Sequence, residues 1–249
     1  MPRPHNKDKH VIVALGGVTM TPSELRDQLS KLDGALAIKV HPDWVAWMAI
    51  NHAVDVISEI KAAGMLCFVD RKFDEIPSEV EKQMRLWENL GVDMITAMVS
   101  GGVPMLEAAK AGGPQMTLLG VTVLTTKDEA VCERTHGRSI AKTVVDFVND
   151  AADAGADGTV SSPTDLTTML DAGIAMESGF RVIPNVRMPD GSDIKGDDQN
   201  KDRQATPDRV GRLCGVNGAV VMGRPILQAA KPEEALRQAE ERYQHGMSN

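Results

Sequence analysis

The chain has 249 residues, of which 42% are hydrophobic and 25% are charged, and its formal net charge is −8. This length suits one large α/β domain or two small ones, and the composition is that of a soluble globular protein with a full core. The acidic balance argues against nucleic acid as a partner, because there is no surplus of Lys and Arg to displace counterions from phosphates. A small anionic ligand remains compatible, since it needs only a local cluster of donors.

The cysteines and the N-terminal residues indicate the cellular compartment of the protein. Cys67, Cys132 and Cys214 are odd in number and widely spaced, which predicts buried thiols in a reducing compartment. The apolar run that follows the polar N-terminal residues is five residues long, which is too short for a signal peptide. No stretch approaches the roughly 18 apolar residues of a membrane span. We therefore expect a cytoplasmic protein with no membrane partner.

Eight short apolar runs, rich in β-branched residues, predict strands. In chain order they are VIVAL (11–15), LAIKV (36–40), MLCFVD (65–70), VDMITAMV (92–99), TLLGVTV (117–123), DGTVSS (157–162), FRVIP (180–184) and NGAVVMG (217–223). Continuous apolar runs of this kind are typical of a parallel sheet that is covered on both faces.

Segments with helical spacing separate the predicted strands, the clearest being 22–32, 47–64 and 78–91. Several of them end in Gly just before the next strand, as helix C-termini commonly do. Eight strand–helix units in a chain of this length predict a single (β/α)8 TIM barrel over residues 1–249. An open doubly wound sheet is the alternative, and it is disfavoured because no G-x-G-x-x-G turn follows the first strand.

The segment after the seventh predicted strand is long, polar and rich in Asp and Gly. This composition predicts a mobile surface loop over 186–206. Long loops at the carboxyl ends of barrel strands commonly grip or cover a ligand.

The stretch FVDRKFDEIPSE (68–79) ends a buried strand on several charges. Asp70 and Lys72 are two residues apart and should face the same way, and Lys39 in the neighbouring strand can lie beside Asp70. Glu75 follows in the loop. One interpretation is a buried ion network that ties the strand ends together. The other is a lysine that is held protonated and aimed as a proton donor to a developing carbanion.

A second cluster lies late in the chain, where Gln199, Gly223 and Arg224 flank the seventh and eighth predicted strands. VVMGRPILQAA reads as a strand, Gly, Arg and then a helix that starts near Pro225. Free N–H groups at a helix start beside an Arg would suit a phosphate, and barrels commonly bind phosphate at this place. An ordinary turn with an exposed Arg is the alternative.

Over nearly its whole length, the chain resembles the orotidine 5′-phosphate decarboxylase family. The motif D-x-K alone would be a weak signal, but the set of motifs is specific. The set comprises VAL in the first strand, IKV, D-x-K in FVDRKFDEIP, SGG (100–102), GVTVLTT, GADG…SP (155–163), IPNVR, DDQ…R-ATP (197–207) and GRPI (223–226).

This resemblance implies a homodimeric barrel with shared active sites that removes CO2 from a 6-carboxylated pyrimidine nucleotide, with no metal and no organic cofactor. It implies that Lys72 protonates C6 as CO2 leaves and that Asp70 lies against the substrate carboxylate. Lys39 would orient Asp70 and the ribose. Glu75 would complete the row of charges from the neighbouring subunit.

The resemblance also implies the residues that bind the rest of the nucleotide. Thr126 matches a hydroxyl residue that contacts the pyrimidine. Arg187, Gln199, Gly223 and Arg224 match residues that contact the phosphate. The family resemblance thus implies that the 186–206 loop grips a phosphate group.

The chain departs from the family's pattern near the ribose and the reacting carbon. Glu75 stands where the family has Asp, Gly16 where it has an Asp on the ribose, Glu79 where it has Thr, and Met98 where it has His. NKD (200–202) resembles an insertion. Such changes alter the hydrogen-bond fit to hydroxyl groups and suggest an altered substrate.

Three functions therefore stay open: an orotidylate decarboxylase, a related decarboxylase or lyase for another phosphorylated compound, and a non-catalytic nucleotide-binding relative. The sugar-phosphate branch of the superfamily uses Mg²⁺ with a glutamate on strand two. Lys39 at that position argues against a metal enzyme, because an ammonium group cannot ligate a metal ion.

Overall fold

The computed structural model of the chain describes residues 8–16, 20–189 and 203–249. Eight parallel strands follow one another in sequence order and close into a barrel, with β1 paired to β8. The predicted (β/α)8 TIM barrel is thus confirmed. The strands are β1 (Val11–Ala14), β2 (Ala37–Val40), β3 (Leu66–Phe73), β4 (Met94–Met98), β5 (Thr117–Val121), β6 (Gly158–Val160), β7 (Phe180–Ile183) and β8 (Gly218–Met222).

Helices form the outer layer, and most of them carry a Pro in the first turn, where its fixed φ and missing N–H suit a helix start. They are α1 (Pro22–Ser30), α2 (Pro42–His52), α3 (Val56–Ala62), α4 (Pro77–Asn89), α5 (Val103–Gly112), α6 (Glu129–His136), α7 (Ile140–Asp153), α8 (Pro163–Asp171), α9 (Pro207–Cys214), α10 (Arg224–Leu227) and α11 (Pro232–Met247).

The helical spacing over 47–64 is continuous, but the structure has two helices there, α2 and α3. The break lies at Ala53, whose φ of 52° is left-handed. Asp55 then caps α3 by accepting hydrogen bonds from the backbone N–H groups of Ile57 and Ser58. The apolar pattern runs on through the break, so periodicity alone does not reveal it.

Two layers of apolar side chains make up the core. One lies between the strands and the helices, and the other fills the barrel. The side chains that fill the barrel are Ile12, Leu36, Ala37, Phe68, Met94, Leu119, Phe180, Val182, Ala219 and Val221. Because these residues close the lower part of the barrel, space for a ligand remains at the carboxyl ends of the strands.

All three cysteines are buried and free, as predicted. Burial raises the pKa of Cys67 and of Cys214 to about 12, so both thiols stay protonated at neutral pH. Within the three described ranges, no helix has both the length and the apolar character that crossing a membrane demands.

Candidate active site

A cavity of about 850 Å³ lies at the carboxyl ends of the strands. Phe68, Val160, Val182 and Val221 line its apolar inner part, and polar side chains from the loops after most of the strands complete the wall. An apolar pocket with a few convergent polar groups is the usual form of a small-molecule site.

Lys39, Asp70 and Lys72 meet in this cavity. Lys39 on β2 is paired in register with Phe68 on β3, so that Asp70 lies just beyond it. The Lys39 Nζ donates to Asp70 Oδ2 at 2.7 Å, and the Lys72 Nζ lies 2.7 Å from Asp70 Oδ1. One carboxylate therefore holds two ammonium groups, and the row has one positive charge in excess.

The backbone of β3 is irregular where it presents Lys72. The register between β3 and β4 shifts between Val69 and Phe73, and Lys72 has a left-handed φ of 52°. Left-handed backbone in a non-glycine residue costs about 1–3 kcal/mol and persists only where the surroundings hold it. The regular alternation of side-chain direction along β3, which predicted that Asp70 and Lys72 face the same way, is thus interrupted. The Lys72 ammonium group nevertheless reaches Asp70.

Thr96 on β4 holds this irregular segment. It is fully buried; its Oγ1 accepts the Lys72 backbone N–H at 2.9 Å and donates to Asp70 Oδ1 at 3.1 Å. Sequence reasoning missed Thr96. The available signal was one hydroxyl residue within the apolar run MITAM on the strand next to β3.

Two opposing effects act on the protonation of Asp70. Burial penalises the charged form, but the ammonium groups of Lys39 and Lys72 outweigh it and hold the pKa of Asp70 below its usual range. Asp70 is therefore ionised at neutral pH, and it keeps both lysines oriented.

Glu75 stands apart from this row within one chain. It is an exposed residue whose Oε1 accepts from Arg71 Nη2 at 2.6 Å and whose Oε2 accepts from Gln83 Nε2 at 2.8 Å. Within one chain, the ion-pair partner of Glu75 is therefore Arg71.

The loop after β5 reaches the cavity through Leu124 and Thr125, whereas Thr126 is exposed and does not line it. Contact of Thr126 with the pyrimidine stays a prediction, and Thr125 is the hydroxyl residue of this loop that lines the cavity. Thr125 and Thr126 lie in a turn, and its backbone path, which the sequence pattern does not specify, decides which hydroxyl faces inward.

Arg187, Gly223 and Arg224 line the cavity at the ends of β7 and β8. A Cβ on Gly223 would lie 3.1 Å from the Ala14 carbonyl oxygen, so glycine permits the close approach of these backbones. Arg224 opens α10, which is a single turn. Gln199 and most of the 186–206 loop fall outside the described residues.

Four further polar residues of the cavity were not predicted as site residues, although Ser162 and Asn185 lie within the motifs GADG…SP and IPNVR. His41, Gln28, Ser162 and Asn185 also line the cavity. Within the described part of the chain, the buried Gln28 Nε2 has no hydrogen-bond partner. The described residues include no group of three or more His, Cys, Asp or Glu side chains arranged to hold a metal ion.

Comparison with known proteins connects this geometry to a family. The family model described as "Orotidine 5′-phosphate decarboxylase / HUMPS family" matches residues 10–239. The chain is 31% identical to orotidine 5′-phosphate decarboxylase of Lactococcus lactis subsp. cremoris (strain MG1363), over 89% of this chain and 93% of that one. It is 32% identical to the enzyme of the same name from Streptococcus pneumoniae (strain CGSP14), over 73% of this chain and 75% of that one.

Solved structures show the same relationship. The crystal structure of orotidine 5′-phosphate decarboxylase from Lactobacillus acidophilus superposes with a TM-score of 0.74 at 27% identity, covering 94% of this chain and 99% of that one. An uncharacterized conserved protein from Geobacillus kaustophilus has the same fold, with a TM-score of 0.71 at 22% identity and the same coverage of both chains.

Proposed function

Because the chain belongs to the orotidine 5′-phosphate decarboxylase / HUMPS family, we propose that it converts orotidine 5′-monophosphate to UMP and CO2, with no metal ion and with Lys72 as the proton donor. Its family and its relatives make the chain a carboxy-lyase of the orotidine 5′-phosphate decarboxylase type. The observation that carries the proposal is the convergence of Lys39, Asp70 and Lys72 in a cavity that Arg224 also lines.

In the proposed reaction the bond from C6 to the carboxyl carbon breaks, CO2 leaves, and the electron pair stays on C6. The Lys72 ammonium group stabilises this charge and transfers a proton from Nζ to C6, which yields UMP and a neutral amine that solvent reprotonates. Asp70 fixes that ammonium group before the reaction begins. A donor preorganised for charge that develops only in the transition state raises the rate of the chemical step.

Lys39 supports metal independence. It occupies the position on β2 where the Mg²⁺-dependent sugar-phosphate branch has a glutamate, and its Nζ donates to Asp70. A protonated amine has no lone pair for a metal ion and repels one that approaches Asp70.

The deciding experiment measures conversion of orotidine 5′-monophosphate to UMP by the purified chain, with and without EDTA. We expect equal turnover in both. Loss of turnover in EDTA with recovery in Mg²⁺ would contradict metal independence, and UMP binding without any CO2 release would indicate a non-catalytic nucleotide-binding protein.

A second candidate, a carboxy-lyase for another phosphorylated compound, is favoured by the cavity wall near β1. Among the described residues, no heavy atom lies within 4 Å of the place where a Cβ on Gly16 would stand. Gln28 lines the same cavity, and its Nε2 has no hydrogen-bond partner among those residues. A screen of pyrimidine and sugar phosphates for CO2 release separates the two candidates, because each predicts a different substrate.

Arg224→Ala should weaken UMP binding by about 10- to 100-fold, because a charge-assisted contact to phosphate is lost. Uridine has no phosphate, so its affinity should not change. Titration calorimetry with both ligands provides the measurement, and Arg209→Ala, an exposed arginine on α9, is the matched control. Unchanged UMP affinity in Arg224→Ala would place the phosphate elsewhere.

We also propose a homodimer in which Glu75 serves the partner's site, as the family resemblance implies. In a single chain, Glu75 is exposed, and 64% of the surface of the next residue, the apolar Ile76, is exposed as well. Sedimentation should give about twice the chain mass of 26.8 kDa. A fully active monomer would contradict the proposal.

A further inference from the structure

Arg203 forms a buried ion pair that plays no part in the chemistry proposed above. Arg203 is 7% exposed and Asp165, at the start of α8, is 2% exposed. The Arg203 Nη2 donates to Asp165 Oδ1 at 2.9 Å and to Oδ2 at 3.1 Å. It also donates to Ser162 Oγ at 2.8 Å. The guanidinium group is thus fixed on the loop between β6 and α8.

The same guanidinium group reaches a second loop. Its Nη1 donates to the Leu124 carbonyl oxygen at 3.1 Å, in the segment between β5 and α6. The Lys127 backbone N–H donates to that same carbonyl oxygen at 3.0 Å. Arg203 therefore holds a turn that also presents Thr125 to the cavity.

The backbone around Arg203 holds a third loop, the one after β7. Asn185 Nδ2 donates to the Arg203 carbonyl oxygen at 2.9 Å. Val186 and Ala205 form a parallel bridge, and the Arg187 N–H donates to the Ala205 carbonyl oxygen at 2.9 Å. The main chain that presents Arg187 to the cavity is therefore anchored by the residues that follow Arg203.

We propose that Arg203 is a positioning residue that couples the phosphate end of the cavity to the pyrimidine end. It joins three loops that line the cavity. They are the β5–α6 loop with Thr125, the β6–α8 loop with Ser162 and the loop after β7 with Arg187. Phosphate held at Arg187 stabilises the arrangement in which the β5–α6 loop faces the base. This inference rests on the proposed function for the identity of the ligand, but the anchoring itself does not depend on it.

Arg203→Lys is the informative variant. A lysine keeps the charge beside Asp165, but its single ammonium group cannot span Asp165, Ser162 and Leu124 as the planar guanidinium group does. Arg181→Lys is the matched control. Arg181 is 2% exposed and donates to Thr159 and Ser178 on the outer side of the sheet, away from the cavity.

The first measurement is amide hydrogen exchange on the full chain without ligand. In Arg203→Lys, the backbone amides of Lys127 and Arg187 should both exchange at least about tenfold faster, because local opening of both loops becomes easier. In Arg181→Lys, both should keep the wild-type rate. Unchanged exchange at these two amides in Arg203→Lys would overturn the inference. If Arg203→Lys does not fold, Asp165→Asn takes its place, because it keeps the side-chain shape and removes the charge that holds the guanidinium group.

The second measurement compares the dissociation constants of UMP and uridine. Their ratio reports how much the phosphate contributes, and it should fall about tenfold in Arg203→Lys, within the usual range for coupling between sites. The ratio should not change in Arg181→Lys. Equal weakening of both ligands in Arg203→Lys would mean a purely structural role and would overturn the coupling. If wild-type protein does not bind UMP, the proposed substrate fails, and the exchange measurement still decides the anchoring.

Discussion

Lys72→Ala should lower kcat for orotidine 5′-monophosphate by at least about 10⁴-fold, because proton donation and the adjacent positive charge are lost together. UMP has no carboxyl group and should still bind within about tenfold, since the proposed phosphate contacts of Arg187 and Arg224 remain. Steady-state assays together with UMP titration measure both effects.

The control for this prediction is Lys31→Ala. Lys31 pairs with Asp27 on the surface at 2.6 Å and lies outside the cavity, so its removal changes the net charge equally and should leave kcat unchanged. Substantial turnover by Lys72→Ala would assign proton donation to another group.

Asp70→Asn should reduce kcat/KM by at least about 10³-fold, because two ammonium groups would then face each other without the carboxylate that orients them. The same change should lower the free energy of unfolding at neutral pH by about 2 kcal/mol, the usual cost of losing hydrogen bonds to a charged group. Urea unfolding measures the loss of stability, and Asp27→Asn is the matched surface control.

The pH dependence of this loss has a definite sign. The pKa of Asp70 in the folded protein lies below its ordinary value of 3.8, so its ionised form stabilises the fold above that value. The difference in unfolding free energy between wild type and Asp70→Asn should be constant from pH 7 to about pH 5 and shrink below about pH 4. A difference that grows in acid would contradict the assignment of Asp70 as the charged partner.

The row of charges is also linked to backbone strain. Lys72 adopts its left-handed conformation because Thr96 accepts its N–H and Asp70 holds its ammonium group. Strain of this kind persists where surrounding contacts over-determine the position, and it commonly marks a functional site. Thr96 therefore helps to aim Lys72.

The sequence by itself was sufficient to predict the barrel architecture of this protein. Continuous apolar runs alternating with amphipathic segments indicate a parallel sheet that is covered on both faces. Eight such units, with no G-x-G-x-x-G turn after the first strand, favour a barrel over an open doubly wound sheet. The charges of Lys39, Asp70 and Lys72 within such runs were equally visible, since an unpaired charge is costly to bury and must therefore find a partner.

Tertiary structure alone decided how the site is assembled. The bulge at Lys72 and the hydrogen bonds of Thr96 depend on contacts between residues distant in the chain. The local backbone path decides that Thr125, and not Thr126, lines the cavity and that Glu75 pairs with Arg71. The junction at Arg203 joins three loops, and its contact with Leu124 spans 79 positions in sequence. No local pattern encodes such contacts, because their energies exist only once the barrel has closed.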